Sequence, residues 1–232
     1  MAIREISSYH LGDMLLVFEE ETEFHRVGFY MIPWSMQKDR VLDRKFYRIN
    51  SLAQVKIAGD MYPNCYGNGQ TMRNGESANR MDYKSQKEVA TECGKEIHTY
   101  FEDARGYELE NVITYYHGED SFEMKNIFTN KAEKKVSLEM LSSFEMGDIS
   151  PFLEGIGTDA LLVHRLRSKW SHEGRLVTET VEDLQLEPSW SNWSVGVERF
   201  GQRGSMPVMK YFPFVAVEDL SLIHISEPTR LD

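Results

Sequence analysis

Apolar and polar residues alternate along much of this chain, the mark of half-buried β-strands. Phe122, Met124 and Phe128 alternate with Glu123, Lys125 and Thr129. Val136, Leu138 and Met140 alternate with Ser137 and Glu139, and Tyr107, Leu109, Ile113 and Tyr115 share one parity with Asn111. Ile97 and Phe101 repeat the pattern just upstream. Successive side chains on a strand point to opposite faces, so each set can line one buried face. Short polar breaks separate the runs: Asp103-Ala104-Arg105-Gly106, His117-Gly118-Glu119-Asp120 and Thr129-Asn130-Lys131-Ala132-Glu133. Alternating runs with such breaks predict an antiparallel meander, here four consecutive strands of one sheet over residues 96–143.

Further strands are expected at Met14–Phe18, Phe24–Pro33 and Leu52–Ile57, and again at Leu161–Arg167, Arg175–Thr180 and Tyr211–Val217. That number of strands suits a sandwich. No segment keeps a helical apolar period long enough to require a major helix. Tyr62–Arg80 breaks the rhythm with Gly67, Gly69, Gly75 and several Asn and Ser, and is expected to be a long loop of the kind that often carries function.

The 232 residues suffice for one large all-β domain or two small ones. A net charge of −11 argues against binding nucleic acid or an anionic membrane surface. Cys65 and Cys93 are the only cysteines, too few for a disulfide framework or a four-cysteine zinc site. The N-terminus lacks the apolar core of an export signal, and the later LLVF run is too short to be one or to span a membrane. A cytoplasmic location is the expectation.

Individual motifs are weak. Trp190-Ser191-Asn192-Trp193-Ser194 matches the WSxWS pattern of class I cytokine receptors, whose tryptophan faces bind arginine. Those receptors are disulfide-linked sandwiches, and a Trp-rich edge or loop packed on the sheets is the plainer expectation. The seven histidines form no metal pattern; His164 and His172 are too far apart for a helix pair. Cys65 has no base that sequence places beside it, and Gly67, Gly69 and Gly75 do not open a helix after a strand. Glycosidases use two carboxylates across the scissile bond. Asp148, Glu182, Asp183 and Asp219 are candidates, but among 37 acidic residues position alone singles out no pair.

A longer pattern is more specific. Ser137-Leu138-Glu139-Met140-Leu141-Ser142-Ser143-Phe144 is followed by His164-Arg165-Leu166-Arg167-Ser168-Lys169-Trp170-Ser171 and Glu173-Gly174-Arg175-Leu176. Then come Glu182-Asp183-Leu184-Gln185-Leu186-Glu187-Pro188-Ser189-Trp190, Glu198-Arg199-Phe200-Gly201-Gln202, Gly204-Ser205-Met206-Pro207 and Phe212-Pro213-Phe214. In this order and spacing they resemble the N-terminal domain of glycoside hydrolase family 36, the bacterial α-galactosidase type. The resemblance covers residues 1–220 and is strongest over 136–219. It implies a large antiparallel β-supersandwich, galactose-mutarotase-like, followed in full-length members by a catalytic β/α barrel and a small sheet domain.

Such enzymes hydrolyse terminal α-galactosides, as in melibiose and raffinose, with retention. The resemblance puts both catalytic aspartates on the barrel, so no catalytic residue is expected in this chain, which alone is expected to be inactive. It implies no metal, no cofactor, and a homo-oligomer, often a tetramer. In similar enzymes a loop of this domain reaches an active site with a Tyr-Gly-Asn stretch and then Asp-Phe-Arg. Tyr66-Gly67-Asn68 and Arg73 stand here, with Thr71-Met72 in place of Asp-Phe and one extra residue between. Arg73 is therefore the substrate-binding candidate, able to donate paired hydrogen bonds to sugar hydroxyls; a salt bridge to Glu76 is the alternative. Arg203 stands where relatives tend to carry a small apolar residue.

After Asp219 the chain reads LSLIHISEPTRLD. Its last part resembles translated sequencing-adaptor read-through, so residues 221–232 are expected to be a non-native tail and are left out of the fold expectation. A different expectation rests on aromatic content: a non-catalytic carbohydrate-binding module, with Trp170, Trp190 and Trp193 stacking on sugar faces.

Overall fold

The computed structural model describes residues 3–40, 49–61, 74–152, 159–187, 198–201 and 209–220. The fold is all-β and antiparallel, with 54% of the described residues in strands and 5% in helix. These residues fall into two compact units, one drawn from 3–39, 49–61 and 74–148, the other from residue 40 and from 149–152, 159–187, 198–201 and 209–220.

The first unit opens with a meander of β1 (Ile3–Leu11), β2 (Met14–Glu21) and β3 (Arg26–Pro33). Gly12, at φ +57°, makes the β1–β2 turn. As the middle strand, β2 is buried from Leu15 through Glu21. The apolar run alone ends this strand at Phe18. The structure carries it through to Glu21, and basic groups meet the last two acids: Arg4 and His25 bond Glu20, and Arg26 bonds Glu21 at 3.0 Å.

A second sheet runs β5 (Asp82–Ala90), β6 (Gly94–Asp103), β7 (Tyr107–Tyr116), β8 (Phe122–Asn130), each paired with the next. Three of the four strands expected over 96–143 are here. The expected fourth is not: β9 (Leu138–Leu141) instead pairs β4 (Val55–Ile57), and Leu138 is exposed. The sheet's remaining member is β5, whose polar sequence gives no alternating signal. Tyr107, Leu109, Asn111, Ile113 and Tyr115 are all buried on one face, as their parity predicts. Asn111 is accommodated there by its cross-strand partner Asn126, 2.8 Å away.

The inner faces share one core, with Leu16, Phe18, Val27 and Phe29 from the first sheet and Ile97, Phe101, Leu109 and Ile113 from the second. That is a sandwich, two antiparallel sheets packed over a common apolar layer. Gln86 clasps its edges: Ser7 and Tyr9 of β1 donate to the Gln86 oxygen, and its nitrogen donates to Thr99 of β6 at 2.9 Å. Gly28 is required by close approach, since a Cβ there would lie 2.2 Å from the Asn50 carbonyl.

The second unit holds a three-stranded sheet, with β10 (Leu161–Ser168) between β11 (Arg175–Thr180) and β12 (Lys210–Asp219). All three strands lie where the sequence pattern expects them. Central β10 buries Val163, Arg165 and Ser168. Arg165 is held by Glu179, by Glu198 at 2.9 Å, and by the Phe200 ring 5.1 Å away.

Candidate functional site

The glycine-rich loop carries the substrate-binding candidate Arg73. Arg73, with Cys65, Tyr66, Gly67 and Asn68, lies outside the described residues; the two ends of the segment do not. The Met61 N–H donates to the Glu76 carboxylate at 2.9 Å, and the Glu76 N–H donates to the Met61 carbonyl at 3.1 Å. This reciprocal pair ties the chain together at both ends of 62–75. Asn74 takes a left-handed backbone, φ +49°, and starts a polar cluster with Gln54, Ser51 and Asn79. Arg26 donates to Asn79 at 2.5 Å, so the cluster reaches the buried Glu21.

A single helical turn, α1 (Glu76–Asn79), follows Gly75. The sequence pattern has this stretch as loop, and one turn is too short to show an apolar period. Ser77 of α1 is fully buried and accepts from Arg105 at 2.9 Å. Arg105 also forks onto Asp103 and sits 3.6 Å from Asp60. Its bonds to Asp103 outweigh partial burial and raise its pKa above the ordinary guanidinium value. The β6–β7 turn thus braces both ends of the loop base. Glu76, the alternative partner weighed for Arg73, engages Arg80 at 2.9 Å as well as Met61.

Among the candidate carboxylates, Glu182, Asp183 and Asp219 accept local hydrogen bonds. Glu182 accepts from the Asp159 N–H at 3.1 Å. Asp183 caps the β11 end by accepting from the Thr180 N–H, and that bond, helped by the Thr180 hydroxyl, holds its carboxyl below the usual value. An acid held low is a poor proton donor. Asp219 accepts from the Ser150 hydroxyl at 2.7 Å. Asp148 sits in the first unit with a left-handed backbone, φ +45°.

The histidines pair with neighbours. His98 bonds Glu110 at 2.7 Å and Glu96 at 3.1 Å across the outer face of the second sheet. The His98 contact outweighs partial burial and lowers the Glu110 pKa. His164 bridges Thr178 and Glu218. Among the described residues no group of three His, Cys, Asp or Glu is placed to hold a metal ion. Cys93 is free and exposed. Trp190 and Trp193 lie outside the described residues, whereas Trp170 is 72% exposed at the tip of the β10–β11 hairpin.

Sequence reasoning missed one concentration of charge. At the end of the three-stranded sheet a groove of about 390 Å³ is lined by Arg167, Ser168, Lys169, His172, Arg175, Lys210 and Tyr211. Antiparallel register sets Arg167 opposite Arg175 on one side and Tyr211 on the other, with Ser168 opposite Lys210. The signal was present as two arginines flanking the hairpin turn, but their facing depends on the register, which the turn geometry sets.

No protein-family model matches this chain, and no curated protein matches it. Among the described residues no helix is long and apolar enough to cross a membrane.

Proposed function

We propose that this chain is the N-terminal, non-catalytic domain of an α-galactosidase-like enzyme that hydrolyses terminal α-galactosides of the melibiose and raffinose type with retention. The observation carrying this reading is the ordered series of strings from Ser137 to Phe214 that resembles glycoside hydrolase family 36. Support comes from the all-β antiparallel architecture that such a domain requires. Further support is the pair of exposed apolar residues Val215 and Val217, two positions apart on one face of β12, which suits a packing partner such as a catalytic barrel.

In this reading both catalytic aspartates belong to the barrel, and no metal or cofactor takes part. Arg73 donates hydrogen bonds to the sugar from a loop whose base is tied by Met61 and Glu76; a tied base lowers the ordering cost of binding. The enzyme works in the cytoplasm as a homo-oligomer.

The source gene beyond the codon for residue 220 tests the proposal. An in-frame barrel with two aspartates at its strand ends is expected, and an unrelated reading frame counts against it. The purified 232-residue chain is expected to release no galactose from melibiose; release well above a blank overturns the non-catalytic assignment. The exposed indole of Trp170 favours a second reading, a stand-alone carbohydrate-binding module. Calorimetric titration with melibiose separates the two, because a module gives saturable heat without a barrel.

A further inference from the structure

We propose that the groove at the end of the β10–β11–β12 sheet binds a small oxyanion-bearing molecule, specifically a phosphomonoester such as a sugar phosphate. The proposal is independent of the hydrolase reading. Its first ground is charge. The chain carries −11, yet the groove is lined by two arginines, two lysines and a histidine, with no carboxylate among the described lining residues. None of the four cations forms an ion pair among the described residues. The acid next along the hairpin, Glu173, is turned to the Ser171 N–H at 3.0 Å.

The second ground is register. Arg167 stands directly opposite Arg175, and like charges so placed oppose folding. Two residues earlier on the same strand, Arg165 receives Glu179 and Glu198. The sheet therefore neutralises one arginine and leaves the next facing another. Two guanidinium forks side by side match the oxygens of a phosphate.

The third ground is preorganisation. The Tyr211 ring lies 5.6 Å from the Arg167 guanidinium and 5.9 Å from the Lys210 ammonium, which restrains both cations before any ligand arrives. The volume falls in the range of about 300–1,000 Å³ usual for small-molecule clefts. Trp170 stands exposed on the same hairpin, available to a ring carried by the phosphate. A nucleic acid is disfavoured, because the overall charge repels a long polyanion and these cations gather at one end of one sheet.

Titration calorimetry of the whole chain at low ionic strength tests the proposal, using glucose 6-phosphate, inorganic phosphate, glucose and a short single-stranded DNA. Glucose 6-phosphate is expected to bind saturably at one site, inorganic phosphate more weakly, and glucose not at all. The double variant Arg167→Gln with Arg175→Gln is expected to weaken binding by about tenfold or more. In the wild-type chain, amide resonances of Ser168, Lys169 and His172 are expected to shift on titration, a readout that does not depend on the variant folding. Absence of saturable heat with either phosphate, unchanged affinity in the folded double variant, shifts confined to other residues, or tighter binding of the DNA each overturns the proposal.

Discussion

Positive charge is handled in opposite ways by the two units. In the sandwich every described arginine, Arg4, Arg26, Arg80 and Arg105, meets a carboxylate. Three of those contacts hold something in place: Arg4 the buried Glu20, Arg26 the buried Glu21, Arg105 the loop base. In the second unit Arg165 follows the same rule, while Arg167 and Arg175 face one another. A paired, buried arginine is explained by the groups it neutralises. Arg167, exposed and opposite its like, has the Tyr211 ring as neighbour but no neutralising carboxylate among the described residues, and the proposed phosphate site rests on that difference.

Four measurements sharpen or break that contrast. Arg165→Ala removes the buried cation shared by the partly exposed Glu179 and Glu198, and the second unit is expected to lose about 2–3 kcal/mol in urea unfolding. A loss no greater than that of an exposed substitution would erase the distinction between paired and unpaired arginines. Arg105→Ala removes the brace shared by Asp103, Asp60 and Ser77. It is expected to cost about 1–3 kcal/mol and to speed hydrogen exchange at Ser77 and neighbouring amides. Unchanged exchange there would mean that the loop base holds without the β6–β7 turn.

Arg175→Glu should act in the other direction. It converts a like-charge pair into an opposite-charge pair, with an expected gain of about 0.2–1 kcal/mol in the absence of phosphate. A destabilised variant would show that Arg175 is already paired in solution. The smallest expected effect is one of pH. The Glu110 carboxyl is held below its ordinary value by His98, so its contribution is present above the ordinary carboxylate range and is lost as pH falls through the lowered value. The difference in urea midpoint between wild type and Glu110→Gln should therefore hold near neutral pH and vanish in acid; a difference that persists in acid contradicts the His98–Glu110 assignment.

Much of the strand layout was readable from alternation. Tyr107 through Tyr115 lie buried along one face because period two and the pleat are the same geometry. The strands missed were β1 and β5, both at sheet edges. Edge strands are paired on one side only and carry polar residues that blur the alternation. Ser7, Tyr9 and Gln86 look like ordinary surface residues in sequence, and only the folded sandwich brings them into one clasp. Of the candidate site, the loop was legible as an interruption in the pattern. The Met61–Glu76 tie at its base was not, because it joins residues far apart in the chain, one bond running between backbone groups that every residue carries and the other ending on one carboxylate among many.

By itself, the sequence determined that this is a β protein, because side-chain periodicity is a local property written residue by residue. It placed the β10–β11 hairpin and both arginines that flank its turn. Tertiary structure alone decided which charges are neutralised. Burial of Glu20 and Glu21, the bracing of the loop by Arg105, and the meeting of Arg167 with Arg175 all depend on strand register and neighbour identity. Electrostatic energy depends on distance in space, and the alternation of side chains does not encode that distance.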